Sequence, residues 1–598
     1  KDTKTFIKPR IVKYFAHILF LALLVIFAGG NKAVAQRYAE LSDIRTQFYE
    51  GKIDINTAIS EQIGLLTSER ERPGTIDDAH QFSKCVTPVI SMIRSHDQEL
   101  SVKTKALVAK TFGTKAKTTQ QTYLSASGKF TIHFDTTGTD AVPLADANSN
   151  GVPDYVEWTA EAADSSYNHE IITLGFPDPI PNGQTYHIYL EDLDSIGAYG
   201  YTDDTPSPTT TIYVENDFVG FPPNTDPEGD QRGALKVTVA HEFKHAIQYV
   251  QNNWFGDSDR WAEMDATLME EVVYDNVNDY YNYIVDFSSD LFSSADLTLS
   301  AGSYEDITFA LYFHERFGQS FWTDVWEKVE SNGSLKFLDA VAQTLPDYGS
   351  NFHSAMLEAY MWHFASGETF SDATFGFDES AYYPSPVIKD TFTDFLPVAE
   401  DTTVIRATSA QYYLLNPGIE SDGYFKFGFS ASSPDVEAGL LVYDKVTHLI
   451  SPYYITAPVP NNWADYDFEW KFSDTDVVGL VIVNTNANSS EKFAFTYTDY
   501  FINSNDTIEI GKRIKLSQNY PNPFNPTTTI GIEMISPQQV SLAVYDYMGR
   551  KVMSLFNGTL NRGYHNFFVD GSRLASGTYF YRLISEEGVF TKKMMLIK

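Results

Sequence analysis

The sequence predicts a multidomain protein, an α+β domain followed by β-sandwich domains, and three patterns carry that reading. Between residues 119 and 385, strand-like and helical patterns alternate: a strand at 129–135, a helix at 155–172, strands at 185–190 and 210–215, then largely helical periodicity through about 365. From 390 to 505 the pattern changes to short alternating strands such as 424–429, 439–443 and 478–483, which fits a β-sandwich. Residues 514–598 enter through a proline-rich stretch and continue as Gly-bounded hairpins, the pattern of a further small β-sandwich.

The ends and the charge set the compartment. Residues 1–35 read as a signal peptide: Lys4, Lys8, Arg10 and Lys13 precede an apolar run from His17 to Ala28, and Ala33-Val34-Ala35 offers a small-x-small cleavage site. That run is short for an anchor, and no later stretch reads as a stable membrane span. The residue after Ala35 is Gln36 rather than a lipidatable cysteine. Residues 1–35 carry six positive charges and one negative, so the stated net charge of −36 becomes −41 for the remainder. Residues 514–598 carry nine Lys or Arg against five Asp or Glu, which concentrates −45 on residues 36–513. A surface so acidic repels nucleic acid and anionic membranes and attracts divalent cations. A single cysteine excludes an intramolecular disulfide, so stability rests on packing and on metals.

Residues 36–118 read as helical and polar, ending in the lysine-spaced linker 103–117, and form a candidate cleavable prosegment. They contain Cys85. Nothing in its sequence neighbourhood suggests a lowered pKa, so an inert buried thiol is the plainer reading; the alternative is a prosegment thiol that caps a metal.

The chemistry-bearing run is His241-Glu242-Phe243-Lys244-His245, on an otherwise mostly apolar helix. At helical pitch the two imidazoles share a face and can hold one Zn2+. Glu242, rotated off that face, can act as general base on a metal-activated water without ligating the ion. A second helical stretch beginning at Trp261 supplies a carboxylate for the third position, Glu263 first and Glu270 next. Two neutral imidazoles and one carboxylate leave a coordination position open, which marks a catalytic rather than a structural site.

On these residues the chain resembles the gluzincin class of zinc metallopeptidases, whose second helix typically reads Trp-x-x-Glu-Gly-x-Ala or Asn-Glu-Ala, with the glutamate as ligand. Glu263 takes that place by its offset to Ala266, Thr267 and Glu270, although Trp261 sits one residue closer and Met264 replaces the usual small residue. The resemblance implies a zincin-like lobe in which a sheet edge lines the cleft and the metal helix forms its floor, with a protein or peptide substrate added to the edge strand. It also implies a Tyr or His for the oxyanion, for which Tyr304, Tyr312 and His314 are candidates.

Upstream, Asp146, Asn148, Asn150, Asp154 and Glu157 stand at positions 1, 3, 5, 9 and 12 of a loop with Gly151 at position 6. This is the spacing of an EF-hand calcium loop, which points to a structural Ca2+. The last module carries Leu516 to Thr528 (rich in Asn-Pro), Val544 to Val552, and Gly571 to Tyr581 as an ordered set. It resembles a type IX secretion sorting domain, which implies the type IX secretion machinery as partner and a secreted or outer-membrane-attached product of a Gram-negative bacterium. The 390–505 module shows no binding motif and reads as a packing or spacer unit. The function expected from these features is a secreted zinc-dependent peptidase, with endopeptidase action. The rival readings are a non-enzymatic cell-surface adhesin or binding protein on a zincin-like scaffold, and a zinc hydrolase of a non-peptide bond.

Overall fold

A computed structural model describes residues 41, 44–49, 51–67, 83–113, 120–204, 209–256, 261–284, 291–299, 304–372, 374–397, 402–415, 421–455, 459–501 and, with short breaks, 514–598. The signal peptide expected at 1–35 lies outside the described residues. The chain is a multidomain α+β protein with several β-sheet domains, and it divides into two compact units.

The first unit is built on a six-stranded mixed sheet. Its strands are β1 (Ser83–Cys85), β2 (Gln121–Leu124), β3 (Phe130–Phe134), β4 (Tyr186–Glu191), β5 (Ala198–Asp203) and β6 (Thr211–Glu215), in the order β1-β5-β6-β4-β3-β2. Strands β3, β4 and β6 run parallel, β5 is antiparallel to β6, and β1 pairs in parallel with β5 at the sheet edge. Three of these strands, β1, β2 and β5, escape a sequence reading, β2 because its four residues are mostly exposed. Strand β5 is buried at every position, so it has no alternation to detect, and β1 is only three residues long.

The helices cover the sheet according to their apolar stripes. The first, α1 (Ile55–Leu66), buries Ile55, Ala58, Ile59, Ile63 and Leu66. Helices α2 (Thr87–Ser95) and α3 (Val102–Phe112) follow. The stretch read as polar therefore has an apolar core of its own: α1 and α2 share one cluster with Leu193, Ile196, Ala198, Tyr283 and Tyr304. Helix α4 (Asp154–Ser166) starts after Pro153, with Asp154 and Glu157 in its first turn, where carboxylates complement the helix dipole.

Helix α5 (Asp230–Asn252) packs between α4 and α6 (Ala262–Val273) and beneath β5 and β6. It ends where Asn253 adopts a left-handed conformation. Phe243 of α5 packs among the rings of Phe130, Tyr167 and Tyr186 at centroid distances of 5.5, 6.2 and 6.1 Å. Burial of such a ring contributes about 1.5–3 kcal/mol, and here it fixes the rotation of the helix that carries His241 and His245.

The second unit contains helices, among them Phe352–Phe364, and two β-sandwiches. The first has one sheet of four strands, led by Tyr424–Ala431 and Trp463–Lys471, and one of five, led by Val436–Asp444 and Thr475–Asn484. Its core is aromatic, with Phe425 stacked on Trp470 at 4.3 Å. The last module pairs a three-stranded and a four-stranded sheet around Ile530, Ile532, Leu542, Val544, Tyr581 and Leu583.

Candidate metal centre

Helix α5 presents His241 and His245 one turn apart, both about 1% exposed, and α6 brings Glu263 of its first turn against them. The hydrogen bonds behind the rings decide where the protons sit. Gln248 donates its amide to the Ala262 carbonyl and to Asp265 Oδ2, both at 3.0 Å, so its Oε1 faces His245 Nδ1 at 2.8 Å and requires an N–H there. Glu270 Oε1 lies 2.7 Å from His241 Nδ1 and imposes the same tautomer on that ring. Each neutral imidazole then presents a bare Nε2 to the same point, and the two Nε2 atoms are 3.1 Å apart.

Other electron pairs converge there. Glu263 places Oε2 3.4 Å from His241 Nε2 and Oε1 3.1 Å from His245 Nε2, while neither oxygen meets a hydrogen-bond donor in line. Cys85 Sγ lies 3.4 Å from His245 Nε2. Ligand atoms of Cys85, His241, His245 and Glu263 all fall within 4.8 Å of one another. Tetrahedral ligands about 2.0–2.3 Å from a zinc ion stand roughly 3.3–3.8 Å apart, so donor type and spacing both suit Zn2+. Lone pairs packed so closely repel unless a positive charge lies among them. Without a metal, that charge is drawn as a proton: burial opposes it, but Glu263 and Glu270 outweigh burial and raise His241 to about 10. Burial would likewise raise Glu263, yet His245 and His241 hold its carboxyl below the usual range. Burial, Glu242 and Glu263 push the Cys85 thiol up.

Glu242 sits beside the cluster and is fully buried. Its Oε2 accepts from Thr202 Oγ1 at 2.8 Å and Thr87 Oγ1 at 3.0 Å, while Oε1 has no partner. Strand β5 crosses closely above this point. A Cβ at Gly200 would lie 2.8 Å from Thr238 Cγ2 and from the Tyr213 carbonyl and 3.2 Å from Glu242 Cγ, so only glycine fits. Of the three oxyanion candidates, the fold brings Tyr304 to the cluster. Its ring is 5.7 Å from that of His241, and its hydroxyl donates to the Cys85 carbonyl at 3.3 Å. Tyr312 instead donates to Glu358 at 3.0 Å, and His314 lies in the last turn of the helix Ile307–Phe317.

Two placements depart from the plainer sequence reading, in which Cys85 is an inert buried thiol, with capping of a metal as its alternative, and Glu270 is a second candidate for the third ligand. Cys85 reaches the cluster through the pairing of β1 with β5, a contact between residues 160 apart in sequence from Cys85 to His245. Glu270, weighed as a third ligand, stands behind His241 rather than at the convergence point, and it also meets Lys84 Nζ at 2.5 Å.

The calcium-type loop is a separate site. Gly151 takes φ +87°, the left-handed conformation that position 6 of such a loop demands. The amides of Asn148 and Asn150 donate to Glu157 at 2.9 and 2.7 Å, and the Asn150 and Gly151 N–H groups donate to Asp146 at 3.1 and 2.9 Å. Asp154 accepts from the Ala147 N–H at 3.0 Å. The five oxygen-bearing side chains thus belong to one closed loop that ends in the first turn of α4.

Comparison with known proteins bears on the C-terminal end. Residues 518–598 match the secretion system C-terminal sorting domain. A search of curated proteins gives no match. Among solved structures, the chain is similar in part to the glycoside hydrolase domain of Endo-D from Streptococcus pneumoniae R6, at 11% identity, TM-score 0.13 and 32% of each chain covered. It is also similar in part to β-glucuronidase 3 of Bacteroides uniformis, at 12% identity and TM-score 0.11, covering 32% of this chain and 27% of that one. A third is a β-1,2-glucanase from Parabacteroides distasonis, at 6% identity and TM-score 0.12, covering 33% and 36%. The alignments thus span about a third of the length of these structures, and at such TM-scores they carry no argument about fold or activity. Among the described residues no helix is long and apolar enough to cross a membrane. The sorting domain identifies a product of the type IX secretion machinery, secreted or held at the surface of a Gram-negative bacterium.

Proposed function

We propose that the first unit is a zincin-like metallopeptidase domain and that the protein is a secreted zinc-dependent peptidase. One observation carries this reading: two imidazoles, locked by Glu270 and Gln248 in the tautomer that bares Nε2, converge with Glu263 on one point beside an unpartnered oxygen of Glu242. His241, His245 and Glu263 would hold the ion. Bound zinc polarises a carbonyl and acidifies water, the chemistry that peptide hydrolysis needs.

The remaining work belongs to the chain. Glu242 Oε1 is free to take a proton from the attacking water and pass it to the leaving amine, while Thr202 holds the other oxygen in place. Tyr304, already donating to a main-chain carbonyl, is positioned to donate to the oxyanion. Strand β5, with Gly200 above Glu242, is the strand along which an extended peptide would lie, on the side that β1 pairs with. The loop of Asp146, Asn148, Asn150, Asp154 and Glu157 would bind Ca2+ and brace the start of α4. The test is metal removal: chelated full-length Cys85→Ser protein, in which no thiol reaches the ligand cluster, should lose hydrolysis of a quenched protein substrate and regain it with one equivalent of Zn2+. Activity that survives with no metal bound contradicts the proposal.

A further inference from the structure

Residues Ser83–Thr87 lie in the cleft as a bound peptide would. Strand β1 adds to β5 with Ser83 opposite Ala198 and Cys85 opposite Gly200. Every side chain from Ser83 to Thr87 is buried; Ser83 donates to the Cys85 carbonyl at 3.2 Å, and Lys84, Cys85 and Thr87 each meet a part of the proposed machinery. Cys85 faces the metal-ligand cluster, its carbonyl accepts from Tyr304, and Thr87 donates to Glu242 and accepts from the Thr202 N–H at 2.8 Å.

Lys84 is the informative side chain. Its ammonium is 1% exposed and enters a pocket of Glu270 and Asp279, with Nζ 4.9 Å from the centroid of the Tyr283 ring and 5.6 Å from that of Tyr199. Two carboxylates buried between aromatic rings are costly without a cation, and a lysine is almost never fully buried unless paired. The pocket walls come from β5, α6 and the segment around 279–283, whereas the lysine comes from the stretch read as a prosegment. A pocket with this lining selects a basic side chain whichever chain supplies it.

We infer that Ser83–Thr87 is an internal occupant of the catalytic cleft, with Cys85 as fourth metal ligand, and that the Glu270–Asp279–Tyr199–Tyr283 pocket is a substrate subsite for a Lys or Arg side chain. This rests on the peptidase reading above. With Cys85 bound, the position that a catalytic zinc keeps open is closed, and the full chain is latent.

The test uses full-length wild type, Cys85→Ser, the double variant Lys84→Ala/Cys85→Ser, which also vacates the pocket of Glu270 and Asp279, and that double variant with Asp279→Asn added, each loaded with Co2+ for spectroscopy and Zn2+ for kinetics. Wild type should show a sulfur-to-cobalt charge-transfer band that Cys85→Ser lacks at equal metal content. Cys85→Ser should cleave faster than wild type by about tenfold or more, since its open position is restored. Across paired peptides differing only in lysine or norleucine, Lys84→Ala/Cys85→Ser should favour lysine in kcat/KM by at least about tenfold, and adding Asp279→Asn should abolish that preference. The wild-type spectrum requires no mutant to fold. One metal per chain with no sulfur band in wild type overturns the ligand assignment. Cleavage by Lys84→Ala/Cys85→Ser with equal rates on both peptides overturns the subsite and leaves the peptidase standing. Absence of bound metal, or bound metal with no cleavage by any variant, overturns the peptidase reading and the inference with it.

Discussion

Replacing Glu270 separates the support of the metal centre from its ligands. Glu270 would not touch the ion. It accepts the Nδ1–H of His241 at 2.7 Å, and both side chains are about 1% exposed, so no water can substitute for it. Partners of this kind orient the ring and raise its basicity, and their loss typically weakens metal affinity 10–100-fold. In Glu270→Gln the amide oxygen can still accept that N–H, while the charge and the oxygen that meets Lys84 are lost, so zinc affinity should fall about tenfold, near the lower end of that range. In Glu270→Leu the N–H is orphaned in a buried site, and affinity should fall about 100-fold, or about 2.7 kcal/mol. Lys84 retains Asp279 in both variants, which limits collateral disorder. Competition for Zn2+ against a chromophoric chelator, with circular dichroism to check folding, measures the two constants. Values within about threefold of wild type for both variants, or a leucine variant that binds better than the glutamine one, would refute the idea that Glu270 positions His241.

Further outcomes are expected at the Asp146–Glu157 loop and at the C-terminal domain. Gly151→Ala forces a side chain into φ +87°, which should cost about 1–2 kcal/mol and weaken calcium-dependent thermal stabilisation; a melting curve that EDTA leaves unchanged, or that Zn2+ alone restores fully, rejects the calcium site. Truncation after Lys512 removes the sorting domain and should leave the product in the periplasm; normal secretion of the truncated chain, followed by fractionation and immunoblotting, would contradict the role assigned to residues 518–598.

The parts of the site that were legible in the sequence are those set by local geometry. Two histidines four residues apart must share a helix face, and a loop with glycine at its sixth position must turn there, where Gly151 does adopt a positive φ. Glu263 could be placed by its offset within a helix, and the structure brings it to within 3.4 Å of both Nε2 atoms. What escaped is non-local. Cys85 looks inert because its neighbours in sequence do nothing to its thiol; what changes its meaning is a three-residue strand on the edge of a distant sheet. Strand β5 is hidden for a related reason: buried on both faces and interrupted by Gly200, it offers no period of two. The partition of Glu263 and Glu270 into ligand and support likewise depends on the crossing of α5 and α6, which spacing within one helix does not encode.

The most direct test of the account is zinc content and turnover measured together in wild type and Glu242→Gln, each full length, with Cys85→Ser in both backgrounds so that no thiol fills the position a catalytic zinc keeps open. The account predicts one zinc per chain in each protein, hydrolysis of a quenched protein substrate by the Glu242 form, and a loss of several orders of magnitude in kcat with glutamine in its place. Zinc bound equally with full turnover in Glu242→Gln, or no zinc in either protein, would contradict it.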